Sequence, residues 1–372
     1  GASLMGLMVT KSGLARRLAL IIMRRAGRSV PRVLFGVLVA SCLITFIIPS
    51  AIARVVLLGS ICVGIVEALG LKKGSNAGKC LFTAVTVSST LFSKGVLASS
   101  APLLGRAFIE RYTGTSVLYS EWTLLFLPFE ILCVFVLHFA LLKVFPPEDI
   151  GEGSDEAHAA SFEDMGPLSP EERKVLILTL CTTLLWMTDF LHGLKPAWIG
   201  ILAGMASTMP PFGILNEQDL RKANFLLIVF VGSALSLGTV LIETGTAQAL
   251  AGWFFTWLEP FTAQETPLSY LAIYCYNFLL HLLIGDEMTL LVSTMPPMLQ
   301  FSMDQGFNTV FTGLIWTYAG GAGLFVYQGG PLAAGYAFGY FTAKDLVKAG
   351  AVASVWMAVM AAALPCWWNL VH

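Results

Sequence analysis

The sequence predicts an all-α, polytopic membrane protein made of inverted repeats, with two re-entrant helical hairpins and two broken helices. Three observations carry this expectation. Of 372 residues, 56% are hydrophobic and 12% charged, about half the charge of an ordinary soluble domain. Such a chain cannot cover itself with polar surface, so the bilayer is its solvent. Some apolar runs have the ~20-residue length of one span. Residues 33–70 and 265–304 are about twice that length and interrupted at their centres. Finally, short motifs recur in the same order in both halves.

Each element follows in chain order. Residues 12–19 (Ser12-Gly13-Leu14-Ala15-Arg16-Arg17-Leu18-Ala19) are the first copy of a short motif that recurs later in the chain. Residues 33–70, with Pro49-Ser50 at the centre, form a hairpin whose point stays inside the membrane. Residues 80–112, interrupted by Gly, Ser and Pro, form a broken helix, and 120–145 a full span. Residues 146–172 carry nine acidic and no basic residues and read as a solvated connector. Spans are then expected at 174–191, 196–213 and 224–242. Residues 244–251 (Thr-Gly-Thr-Ala-Gln-Ala-Leu-Ala) are the second copy of the 12–19 motif. A second hairpin over 265–304 breaks at Gly285-Asp286-Glu287, a second broken helix covers 306–343, and 346–371 is a span ending in the interfacial pair Trp367 and Trp368. The expected organisation is a first repeat over 1–145, an acidic cytoplasmic linker over 146–172 and a second repeat over 173–372.

Basic residues set the orientation. Arg16, Arg17, Arg24, Arg25, Arg28 and Arg32 precede the first hairpin, and Lys72, Lys73 and Lys79 follow it. That hairpin therefore opens to the cytoplasm, and counting spans forward opens the second to the outside. Repeats so related are inverted, the architecture of secondary carriers.

Several classes are excluded. The seven cysteines sit in apolar runs without a CxxC or Cys/His cluster, which argues against disulfides and zinc. A net charge of −1 gives no reason to expect nucleic acid. No spacing matches a hydrolase, metalloprotease or nucleotide-binding motif, so the chain is not expected to be an enzyme and no cofactor or catalytic residue is assigned.

The chemistry expected is binding and release. A helix broken in mid-membrane exposes free N–H groups and the positive end of its dipole, which favour an anion, while unwound carbonyls suit a cation. Two points and two breaks converging on one pocket would place Ser50, Arg54, Ser89, Lys94, Ser100, Thr289, Tyr327, Gln328, Gly330 and Pro331 at a substrate. Ser50, Asp286 and Glu287 would serve cation coupling. Ionisable groups at membrane depth are functional candidates by default. Arg54 is either a two-pronged anion clamp or scaffolding, and Asp286 and Glu287 either couple a cation or proton or lock the pocket through Arg54 or Lys94.

These residues resemble the divalent anion:sodium symporter family. Pro49-Ser50-Ala51-Ile52-Ala53-Arg54 is similar to that family's Pro-Ser-Asn-Thr-Ala-Arg hairpin tip. Ser100-Ala101-Pro102-Leu103 resembles its Asn-Pro-Leu break. Gly329-Gly330-Pro331, Gly335 and Gly339-Tyr340-Phe341-Thr342-Ala343-Lys344-Asp345 resemble its end-of-repeat signature. The resemblance implies a homodimer working by an elevator motion, a dicarboxylate-, citrate- or sulfate-like anion as substrate, and sodium as coupling ion. Ala51 and Ile52 replace the usual Asn-Thr, which keeps proton coupling and exchange open. The chain opens inside an apolar stretch, Gly1 to Val9. Earlier scaffold helices are therefore expected from the same gene or from another subunit. The alternative reading is a transporter-derived structural subunit of a larger membrane complex. The setting is a plasma membrane or an organelle inner membrane.

Overall fold

A computed structural model describes residues 2–26, 29–148, 166–221 and 225–371. Most of the acidic connector, 149–165, lies outside the described residues, as do Arg28 and Lys222. All regular secondary structure among the described residues is helical.

The first half begins with α1 (Ala2–Ser12) and α2 (Leu14–Ala26), joined at Gly13, whose φ of 77° belongs to the left-handed region that suits glycine. The long apolar run is two helices, α3 (Val30–Thr45) and α4 (Ala51–Ala68), with Phe46 to Ser50 between them. The expected broken helix is α5 (Asn76–Phe92) and α6 (Ser100–Thr113), separated by Ser93 to Ser99. The 26-residue α7 (Tyr119–Val144) follows. Pro128 inside α7 cannot bond the Leu124 carbonyl four residues back, and Trp367 Nε1 donates to that oxygen at 3.3 Å.

The second half begins with α8 (Pro170–Met187), α9 (Asp189–His192), α10 (Pro196–Ala206) and α11 (Glu217–Leu220). The span expected over 196–213 is shorter than that: α10 is 11 residues long. Pro210-Pro211 supply no amide hydrogens for helix bonds, and the chain turns over 207–212. Then α12 (Phe225–Glu243) bends through 90° into α13 (Thr246–Phe255) and a 3-10 turn to Phe261. The bend falls at Gly245, φ 70°, the position that corresponds to Gly13 in the repeated motif. Two helices fill the second long run, α14 (Pro267–Leu283) and α15 (Glu287–Asp304), with Ile284 to Asp286 between them. The second broken helix is α16 (Thr309–Ala319) and the short α17 (Gly330–Tyr336), and α18 (Ala343–Val371) closes the chain. Taken singly, α4, α7 and α18 are long and apolar enough to cross a membrane. The chain is an integral, multi-pass membrane protein.

The two broken helices interlock. α6 packs on α16, and α17 packs on α5. Both crossings are too close for a side chain. A methyl at Gly105 would sit 2.7 Å from Thr317 Cγ2, and one at Gly335 would sit 2.7 Å from Thr86 Cγ2. Small residues where helices meet let backbones approach, which is the main attraction available inside lipid. The two halves are also tied by charge: Arg17 meets Glu172 at 2.7 Å and Lys11 meets Asp219 at 2.6 Å. Glu148 caps α5, accepting from the amides of Asn76 (2.6 Å) and Ala77 (3.1 Å). Partial burial pushes its carboxyl upward, but those amides and nearby Lys79 outweigh it and hold it below the usual range.

Candidate functional site

Four interruptions in the helices surround one cavity of about 170 Å³. From the first half come Pro49, Ser50, Ala51 and Ile52 at the start of α4, and Ser93, Lys94, Ser99, Ser100 and Ala101 at the break before α6. From the second come Asp286, Glu287 and Met288 at the start of α15, and Gly329, Gly330 and Pro331 at the start of α17. The sequence dictates each start. Ser50 caps α4 by accepting from the Ala53 amide at 3.3 Å, and Asp286 caps α15 by accepting from the Thr289 amide at 3.0 Å. α6 has no side-chain cap, because Ser99 turns away and donates to the Pro49 carbonyl at 3.1 Å. That bond holds the break against the tip. Three helices of 14 or more residues, α4, α6 and α15, thus bring their N-terminal ends to one space. Each such end carries a partial positive charge of about half a unit.

Three charged side chains line the cavity: Lys94, Asp286 and Glu287. Lys94 is 1% exposed, and its ammonium pairs across the cavity with Glu287, joining the first break to the second tip. Trp122 Nε1 donates to the Lys94 carbonyl at 2.8 Å and fixes the segment from behind. Gly320 and Gly321 leave room for the pair, since a methyl on Gly321 would stand 2.6 Å from Lys94 Cε.

Of the expected site residues, Ser50, Lys94, Ser100, Asp286, Glu287, Gly330 and Pro331 come together at this cavity. Arg54, Ser89, Thr289, Tyr327 and Gln328 do not line it. Arg54, fully buried, donates to the carbonyls of Ile48 (2.5 Å) and Ser89 (2.6 Å). Ser89 belongs to the last turn of α5 and Ile48 follows the end of α3, so the guanidinium serves helix ends whose carbonyls have no partner of their own. Thr289 donates its hydroxyl to the Asp286 cap at 3.2 Å. In the second half, Gln328 donates to the His281 carbonyl (2.9 Å) and Tyr327 to that of Leu282 (2.9 Å), both in the last turn of α14. Gln328 also accepts from the Leu324 and Phe325 amides. His281 sits in the same place, its ring nitrogens facing the carbonyls of Ala322 (3.1 Å) and Gln328 (3.3 Å), to one of which a neutral imidazole donates. These residues shape the two breaks from behind.

Of the lining, Pro49, Ala51, Ile52, Ser93, Ser99, Ala101, Met288 and Gly329 belong to the expected tips and breaks but were not among the expected site residues, and Glu130 was not singled out at all. Glu130 is 4% exposed on α7 and packs against Gly95, the residue after Lys94. Its signal was present: a lone acid near the middle of a long apolar helix. Among the described residues no group of three or more His, Cys, Asp or Glu could hold a metal ion.

The comparison that decides the family covers the whole chain. Residues 1–372 match the family described as the sodium:sulfate symporter transmembrane region. The chain belongs to this family. Among similar proteins, a membrane protein of Cupriavidus necator is 27% identical over 77% of this chain, which spans 57% of that protein's length. The citrate/succinate antiporter of Escherichia coli K12 is 23% identical over 95% of this chain and 74% of its own. The chloroplastic dicarboxylate transporter 2.2 of Arabidopsis thaliana is 24% identical over 96% of this chain and 67% of its own. The family and the two named carriers are transporters, not enzymes.

Proposed function

We propose that the chain is the substrate-binding core of a secondary carrier for small anions of the dicarboxylate, citrate or sulfate kind. The observation that carries the reading is the cavity where two inter-helix tips and two helix breaks meet around the Lys94 ammonium. Three helix N-termini and an ammonium offer an anion donors and positive charge at one place. The substrate is held by Lys94, the hydroxyls of Ser50 and Ser100, and the amides at the start of α6 and at Gly330. Arg54, Ser89, Thr289, Tyr327 and Gln328 position those groups.

The halves 1–145 and 173–372, joined by the acidic connector 146–172, act as inverted repeats. The recurrence of junction glycine, paired helices, broken helix and long helix in each half supports this. The pairs α3–α4 and α14–α15 are the re-entrant hairpins, and access alternates by an elevator motion in a homodimer. The names of the family and of its antiporter members support either sodium coupling or exchange. Ser50, Asp286 and Glu287 supply oxygens for a coupling cation, and a cation there releases Lys94 from Glu287 to the incoming anion. A second reading draws on the same pair: a Lys94 permanently held by Glu287 suits a structural subunit that carries nothing.

The test is uptake of labelled succinate, citrate and sulfate into proteoliposomes, with and without sodium and with or without anion trapped inside. Flux of at least one anion is expected, and flux only with trapped anion marks exchange. No flux of any anion with folded protein, together with stable co-purification of unrelated subunits, would overturn the carrier reading.

A further inference from the structure

Glu130 stands on the middle of α7, a helix apolar enough to span the membrane, and is buried. Neither carboxyl oxygen has a hydrogen-bond partner among the described residues. The Gly95 amide lies near it without hydrogen-bonding geometry, and a methyl on Gly95 would stand 2.8 Å from Glu130 Cγ and 2.9 Å from Oε1. The carboxyl borders a separate gap of about 10 Å³ lined also by Cys42, Thr45, Phe46 and Phe92, the size of a single water site. The groups near enough to act on it electrically are Arg54 of α4 and Lys94, with the titratable Cys42 of α3, Cys133 of α7 and Tyr318 of α16. Arg54 spends its Nη donors on Ile48 and Ser89 and leaves Nε unpaired. A permanently ionised carboxylate buried without a hydrogen bond is costly, and a permanently neutral role would be met as well by glutamine. A carboxyl here is suited to changing its charge.

We infer that Glu130 is a proton-binding site of the carrier, separate from the anion cavity, and that its charge is felt at Lys94 through Gly95. A proton on Glu130 removes a negative charge from beside the segment that bears Lys94. The ammonium is then held less by the core and more by the anion. The gap beside the carboxyl has room for one water, which would bring the proton and take it up again once the anion is released. No bond other than this O–H forms or breaks. The inference rests on the carrier reading for its consequence, but the site itself can be tested without transport.

Two measurements on the full chain decide it. Infrared difference spectra between acid and alkaline pH should show the C=O stretch of a buried protonated carboxyl, lost in Glu130→Gln. In proteoliposomes, an inward proton gradient should accelerate sulfate or succinate uptake severalfold and acidify a trapped dye. Glu130→Gln should abolish both effects while keeping anion binding by thermal shift. Glu130→Asp should restore them with a displaced pH dependence, which a purely structural role would not produce. A titrating band unchanged in Glu130→Gln overturns the site even if the protein carries nothing. Wild-type uptake indifferent to the proton gradient overturns the coupling and leaves the carrier reading intact. Absence of all anion flux defeats the carrier reading, while the infrared band still judges the site.

Discussion

Glu287→Gln tests the site most directly, because the cavity's ammonium is already in use. Lys94 pairs with Glu287, and Asp286 adds a second negative charge to the same lining. An entering anion must therefore compete with Glu287 for Lys94. The glutamine keeps shape and hydrogen bonding but removes one negative charge. For an anion about 6 Å from that carboxyl and an effective dielectric constant near 20, the relief per unit of anion charge is about 3 kcal/mol. A singly charged anion should then bind about 100-fold more tightly, and a dianion such as succinate or sulfate by at least that factor. The same substitution leaves Lys94, which is 1% exposed, without its partner. Breaking a buried pair from one side costs about 3–5 kcal/mol, so the unliganded variant should melt earlier. Anion should restore more of the loss than it adds to the wild type. Lys94→Met should be destabilised likewise, yet gain nothing from anion. The assay is thermal unfolding in detergent across a titration of succinate, citrate or sulfate, with equilibrium binding of the same ligands. Binding by Glu287→Gln no tighter than by the wild type, or Lys94→Met binding unimpaired, would refute Lys94 as the anion's counter-charge.

Other outcomes follow from the same geometry. Gly335→Ala drives a methyl into Thr86 and should cost about 1–3 kcal/mol. Thr86→Ala should recover most of that in the double variant, and strictly additive melting effects would argue against the close crossing. Gly105→Ala and Thr317→Ala should behave the same way, measured in the same melts. Arg54→Met should lower stability by about 3 kcal/mol or more, since two buried carbonyls lose charged donors; in protein kept folded by low temperature, anion affinity should change less than in Lys94→Met. The Glu148 carboxyl is depressed in the folded state, so its contribution is full above the ordinary carboxylate value near 4.3 and fades as pH falls through the folded value. The protection factors of the Asn76 and Ala77 amides, taken against their intrinsic exchange rates at each pH, should fall on acidification, and Glu148→Gln should remove that pH dependence.

Much of the architecture was legible in the sequence because hydropathy is a local quantity. A run such as 120–145 is apolar over its whole length, and the helix it forms is long enough for one crossing. The interruptions at Pro49-Ser50, Ser99-Ser100, Asp286-Glu287 and Gly329-Gly330-Pro331 were legible for the same reason, since capping residues, glycine and proline act within a few residues of themselves. The short α10 shows where this fails: 196–213 is apolar throughout, but the Pro210-Pro211 pair outweighs hydropathy in ending the helix.

The sequence by itself determined the solvent, the helices and the places where they stop, because a backbone in hydrocarbon must satisfy its own hydrogen bonds or break where something else does. Tertiary packing alone decided which breaks share a cavity and what each polar side chain serves there. Arg54 and Gln328 are as polar as Lys94 along the chain. Through space they are occupied by the loose carbonyls of α3, α5 and α14, while Lys94 faces Glu287 from 193 positions away. Charge pairing acts over a few ångströms of space and is blind to sequence distance, so only the folded chain could assign it.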